Sequence, residues 1–151
     1  MASSLLLGAV PSRGFHERWS NEPLVIDKWV GVQATSPRED TLDRVIALMG
    51  KADFSLRNPN RIRSLIGAFC GANQVCFHAA DGRGYRFLAD RVLDLDPLNP
   101  QIAARLLRSM VRWRRFDSER QRLMRAELSR ILDNEVLSAD VFEVASKSLE
   151  D

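Results

Sequence analysis

The chain is short of most residues from which an independent catalytic centre is built. It has two cysteines in 151 residues, Cys70 and Cys76, too few to staple a small secreted scaffold. Both read as reduced thiols in a cytoplasmic compartment. Histidine is equally scarce, with His16 and His78 alone. His16-Glu17-Arg18-Trp19-Ser20 begins like the metallopeptidase motif H-E-x-x-H. Ser20, however, stands where a second imidazole must lie one helical turn from the first to share a metal. A cluster of Cys70, Cys76 and His78 falls short of the four closely spaced ligands of a structural zinc site. Cys76 and His78, two apart, are not a triad by themselves, and no G-x-S-x-G elbow is present. Gly82-Arg83-Gly84 lacks the following lysine-serine or lysine-threonine pair of a phosphate loop. No catalytic residue and no metal ligand is therefore assigned.

Long hydrophobic runs are also missing. Leu5 to Val10 is too short to span a membrane, and no Lys or Arg precedes it as in a signal peptide. Residues 1–14 read as a leader of cloning origin or a frayed end, and 15–151 as the domain proper. No alternating stretch is long enough to require a strand. The formal net charge is +2, so the total implies no general attraction to nucleic acid or membrane.

What is present is helical punctuation. Ser36-Pro37, Asn58-Pro59 and Asn99-Pro100 each place a side-chain acceptor before a residue that needs no backbone N–H, as at a helix start. Helical spacing predicts a first helix over Glu22–Thr35 with Leu24, Val25, Trp29 and Val32 as its apolar side. Ser36-Pro37-Arg38-Glu39 reads as a capping box opening a second helix, ended by Gly50. Asn58-Pro59 opens a third helix, buried through Ile62, Leu65, Ile66 and Phe69, with Gly71 as its stop. A loop through Asn73 and Phe77 and a turn at Asp81-Gly82-Arg83-Gly84 lead to a fourth helix ending near Leu95. Asn99-Pro100 opens a fifth, with Ile102, Leu106, Met110 and Trp113 inward. Asp117 and Ser138 cap the last two. Seven helices on short connections predict an all-α fold of antiparallel pairs, an α-solenoid or compact bundle.

Arginine is concentrated. Between Ala103 and Arg130 nine arginines face three acids, Asp117, Glu119 and Glu127. Arg105, Arg108, Arg112 and Arg115 follow a 3, 4, 3 spacing that would align them on one helix face. That face reads either as a surface for phosphates or acidic peptide groups, or as a solvated face whose arginine stems cover apolar neighbours. Against nucleic acid, the solvated face is the favoured reading. Arg61 and Arg63 sit early in the third helix, where the dipole disfavours cations. They are either ordinary surface residues or placed to meet a carboxylate.

The segments FHERWSNEPLVIDKWVGVQATSP, NPNRIRSLIGAF, FHAADGRGYRFLAD and LDPLNPQIAARL, continued by WRRFDSERQRLMRAELSRIL and LSADVFEVASKSL, closely resemble the C-terminal domain of the bacterial aminopeptidase N family, also called alanyl aminopeptidase. The resemblance covers Phe15 to Leu149 in order. It implies an all-helical array like armadillo or HEAT repeats that covers a zinc-dependent catalytic domain and encloses the peptide chamber. By the same resemblance Arg63, in NPNRIRSLIG, and Gln101 and Arg105, in NPQIAARL, match positions that contact peptide. Arg108 and Arg112 would be support or solvent-facing. The zinc would belong to the catalytic domain, leaving this chain inactive alone. Its partners would be that domain and the peptide substrate, and a severed domain would tend to self-associate. The alternative is an independent helical-repeat module that binds an acidic protein or nucleic acid through Arg105–Arg130.

Overall fold

The computed structural model describes residues 22–150. The leader, His16-Glu17-Arg18-Trp19-Ser20 and the start of the first family-like segment lie outside the described residues. Those described are helical throughout, without a strand. They form two compact units divided between Cys76 and Phe77.

In the first unit, α1 runs Pro23–Ala34 and α2 Thr41–Met49. A third helical run, α3, covers 59–72 without a break: Pro59–Ile62 is α-helical, Arg63–Gly67 is π-helical and Ala68–Ala72 returns to α. Helix α1 packs against α2 and against the π segment. Its buried side is Ile26, Trp29, Val30, Gln33 and Ala34. Of the four residues the apolar spacing suggests, Trp29 is buried and Val25 half-buried, but Leu24 and Val32 are 75% and 44% exposed, so the inward face is rotated from the expected one. Gly71 does not stop α3, which continues to Ala72. Asn73 and Phe77 are not in a plain loop, because a short helix α4, Gln74–Phe77, lies between them.

Of the three proline-led starts, two form as read. The side chain of Asn58 accepts from the Arg61 N–H, and that of Asn99 from the Ile102 N–H, both at 3.2 Å. Ser36-Pro37 does not open a helix: α2 begins at Thr41, behind Asp40. The Ser36 carbonyl is instead the anchor of a turn, accepting from the Thr41 hydroxyl at 2.8 Å and the Asn73 amide at 2.8 Å. Replacing Asn58 or Asn99 with alanine should therefore cost about 1 kcal/mol each. Ser36→Ala should cost less than either, because its hydroxyl caps no helix and accepts only a long 3.4 Å bond from the Arg38 N–H. Urea denaturation of the three variants distinguishes these roles.

In the second unit, α5 covers Arg83–Leu95, α6 Pro100–Leu107, α7 Ser118–Leu132 and α8 Ala139–Leu149. Helix α5 touches α6 and α7, and α8 touches the same two, so each helix has two neighbours around a common core. Tyr85, Leu88, Val92, Leu107, Met110, Met124 and Ile131 fill that core. Asp117 caps α7 through the Arg120 N–H, and Ser138 caps α8 through the Val141 N–H. Helix α5 enters through Gly82, whose φ of 76° is the left-handed region glycine tolerates.

The long fifth helix of the sequence reading is shorter than expected. After Leu107 the chain tightens into 3-10 turns at Arg108–Met110 and Trp113–Arg115. Met110 and Trp113 are still buried. The Trp113 indole N–H donates to the Ser148 carbonyl at 3.0 Å. Arg105, Arg108, Arg112 and Arg115 therefore do not share one α-helix face.

Candidate functional site

Arg61 and Arg63 leave α3 with different fates. Arg61 is 5% exposed. Its Nε donates to Asp27 at 2.6 Å, and its terminal nitrogen reaches the Asp53 carboxylate and carbonyl, each at 3.2 Å. This guanidinium thus meets carboxylates of its own unit and ties α1 to the segment before α3. Arg63 is exposed, and its terminal nitrogen donates to the Asn60 side-chain oxygen.

Arg63 lines a groove of about 450 Å³ formed with Leu24, Val25, Asp27, Lys28, Asn60 and Ser64. Its walls combine aliphatic carbons with two cations. Asp27 in that wall is already engaged by Arg61, so Lys28 and Arg63 dominate its charge. The π-helical stretch starts at Arg63. A π turn widens the helix, a feature frequent at functional positions.

Gln101 and Arg105 belong to the second unit. Gln101 occupies the first turn of α6, after the Asn99 cap and Pro100, and Arg105 its last turn. Four residues apart, they are neighbours on one helical face, and both are exposed. Arg105 is placed where the negative end of the helix dipole favours a cation. Together they offer an amide and a guanidinium suited to peptide carbonyl or carboxylate oxygen.

Residues of the conceivable zinc cluster have other roles. Cys70 is buried and Cys76 half-buried, without a disulfide. The Cys76 thiol donates to the Arg38 carbonyl at 3.1 Å. His78 Nδ1 and the Tyr85 hydroxyl are hydrogen-bonded at 2.7 Å. Among the described residues no three His, Cys, Asp or Glu side chains converge as metal ligands. A zinc ion does not fit the residues described.

Residue spacing does not reveal the surroundings of His78. Its ring stacks on Phe116 at 4.2 Å, and its carbonyl accepts from Arg120 Nε at 2.7 Å. Arg120 also pairs with Asp117 at 2.9 Å, and that hydrogen bond holds the Asp117 carboxyl below its ordinary range. Burial, and then the nearby Arg120 charge, lower the His78 pKa. Burial pushes the Tyr85 hydroxyl up to about 12. Unfolded His78 takes a proton near its ordinary 6.5 more readily than the folded ring, so stability is full above that value and declines as pH falls below it. For Tyr85 the sign reverses. Stability is full below about pH 10, where the hydroxyl is protonated in both states, and declines as pH rises toward about 12. His78→Gln should flatten the decline in stability as pH falls below about 6.5. An unchanged slope in urea titrations would remove this assignment.

No helix among the described residues is long and apolar enough to cross a membrane. Residues 11–150 match the family model described as a domain of unknown function (DUF3458_C) of ARM repeats. Aminopeptidase N of Caulobacter vibrioides is 47% identical over 95% of this chain and 17% of its own length. Aminopeptidase N of Escherichia coli is 46% identical over 89% of the chain and 16% of its own length. The crystal structure of Legionella pneumophila aminopeptidase A in complex with aspartic acid superposes with a TM-score of 0.86. It is 35% identical and matches 98% of this chain and 16% of that one. The chain thus spans about a sixth of the length of these relatives. It belongs to the DUF3458_C family of ARM-repeat domains and corresponds to the C-terminal helical domain of aminopeptidase N.

Proposed function

We propose that this chain is the non-catalytic helical domain of a zinc-dependent, cytoplasmic aminopeptidase, covering its catalytic domain and lining its peptide chamber. The observation that carries this reading is the match of 95% of the chain to 17% of an aminopeptidase N. In this reading Arg63, Gln101 and Arg105 contact the peptide. Their chemistry supports it: all three are exposed, and each offers N–H donors to peptide oxygen. The groove beside Arg63 adds the aliphatic surface of Leu24 and Val25 for a side chain. The zinc and its general base would come from the catalytic domain, this domain's partner, and no chemical step is assigned to the residues here.

The purified chain tests the non-catalytic part. It should hold well under about 0.1 zinc per molecule after dialysis, since tight zinc sites need three or four convergent ligands. It should release no amino acid from aminoacyl substrates. Stoichiometry near one zinc together with turnover would overturn the reading.

A further inference from the structure

The arginines of 103–130 separate into two groups once their partners are known. Arg120 pairs with Asp117, Arg122 with Glu119, and Arg130 with Glu127 and Asp90. Arg114 is taken up by the Ser148 and Glu150 carbonyls. Arg105, Arg108, Arg112, Arg115 and Arg125 remain exposed, and none makes an ion pair among the described residues.

The backbone that carries them is well anchored. Met110 is fully buried and Trp113 is 6% exposed. The Trp113 ring carries the Arg114 and Arg125 guanidiniums at 4.2 and 5.3 Å, and its N–H is fixed on the Ser148 carbonyl. An anchored backbone loses less freedom when its side chains are engaged. All of these cations are arginines, whose planar forks match carboxylates in pairs. Bases have little to stack on, because Trp113 is buried beneath arginines and Phe116 is stacked on His78.

We propose that Arg108, Arg112, Arg115 and Arg125 form a docking surface for an acidic polypeptide segment, recognised through carboxylate pairs around the buried Trp113. The proposal does not depend on the peptide-contacting role proposed for Arg105.

The test is fluorescence anisotropy of the whole chain with two labelled probes, a glutamate-rich peptide and single-stranded DNA, each with about ten anionic groups. The peptide should bind, more tightly than the DNA, and lose at least about tenfold in affinity between roughly 50 and 200 mM salt. R108E/R112E/R115E should weaken peptide binding by at least about tenfold. The charge-matched control K51E/R57E/R86E, which reverses exposed cations elsewhere, should change it by less than about twofold. The neutral variant R108Q/R112Q/R115Q repeats the measurement if the reversal does not fold. Absence of peptide binding at low salt overturns the proposal. So does an equal loss in the control, which would reveal net charge alone, or tighter DNA binding weakened by the same substitutions, which would make the surface a nucleic-acid site.

Discussion

Arg61→Ala should lower the stability of the chain by about 3–5 kcal/mol, the usual result of removing one partner from a buried ion pair. The reason is the charge left behind. Asp27 has a side chain 12% exposed and lies 2.6 Å from the Arg61 guanidinium. Without that cation it is a nearly buried carboxylate that has lost its ion pair. Asp53, whose side chain is 29% exposed, can recover hydration more readily. The main penalty therefore falls on Asp27, and Asp27→Asn combined with Arg61→Ala should recover part of the loss. Arg63→Ala, two residues along in an exposed setting, should change stability by less than about 0.5 kcal/mol. Urea denaturation of the two single variants checks this contrast. Similar losses would mean that the distinction between a buried, paired arginine and an exposed one is wrong.

Gly84→Ala should be comparably severe for a different reason. A Cβ there would lie 2.2 Å from the Phe77 carbonyl oxygen and 2.9 Å from the Phe77 carbonyl carbon and Cα. All three are backbone atoms, so no rotamer change relieves the clash. Helix α5 would have to move away from Phe77, pulling the buried Tyr85 with it. The cost should be about 3 kcal/mol, the upper part of the range for overfilled sites. Gly31→Ala is the comparison, with its nearest contact an ordinary 3.5 Å. It should be tolerated, with thermal unfolding close to that of the parent chain. A Gly84→Ala chain as stable as the Gly31→Ala chain would refute the tight approach of α5 to Phe77.

Local chemistry was readable where it acts locally. Asn58-Pro59, Asn99-Pro100, Asp117 and Ser138 all start helices, because a side-chain acceptor three residues before an N–H needs nothing else. Ser36-Pro37 has the same local pattern, yet the partners that settle its conformation are Thr41 and the distant Asn73. The π stretch from Arg63 to Gly67 and the 3-10 turns after Leu107 are likewise set by what the helix meets, Trp113 reaching a carbonyl 35 residues away. Apolar spacing located α1 and its buried Trp29 but rotated the rest of its face, since Leu24 and Val32 are exposed and Gln33 is buried.

The candidate site was legible to a smaller degree. Spacing could not tell Arg61 from Arg63, because the carboxylate that captures Arg61 comes from a residue 34 positions away. The aligned arginine face failed for the same reason, as it assumed a helix that continues past Leu107. The His78–Tyr85 bond joins residues seven apart across a turn at Gly82, and no periodic signal marks it. Family-like segments, by contrast, pointed to the ARM-repeat domain, since they retain order over nearly the whole chain.

The measurement closest to the central claim is peptide hydrolysis by the aminopeptidase proposed to carry this domain, with Arg63, Gln101 and Arg105 changed singly to alanine. Each lost hydrogen bond to peptide should raise KM about 3- to 30-fold, with kcat within about threefold, as expected when binding energy common to substrate and transition state is removed. Zinc content should be unchanged. Unaltered KM in all three variants, or a collapse of kcat with KM intact, would contradict a chamber-lining role for these residues.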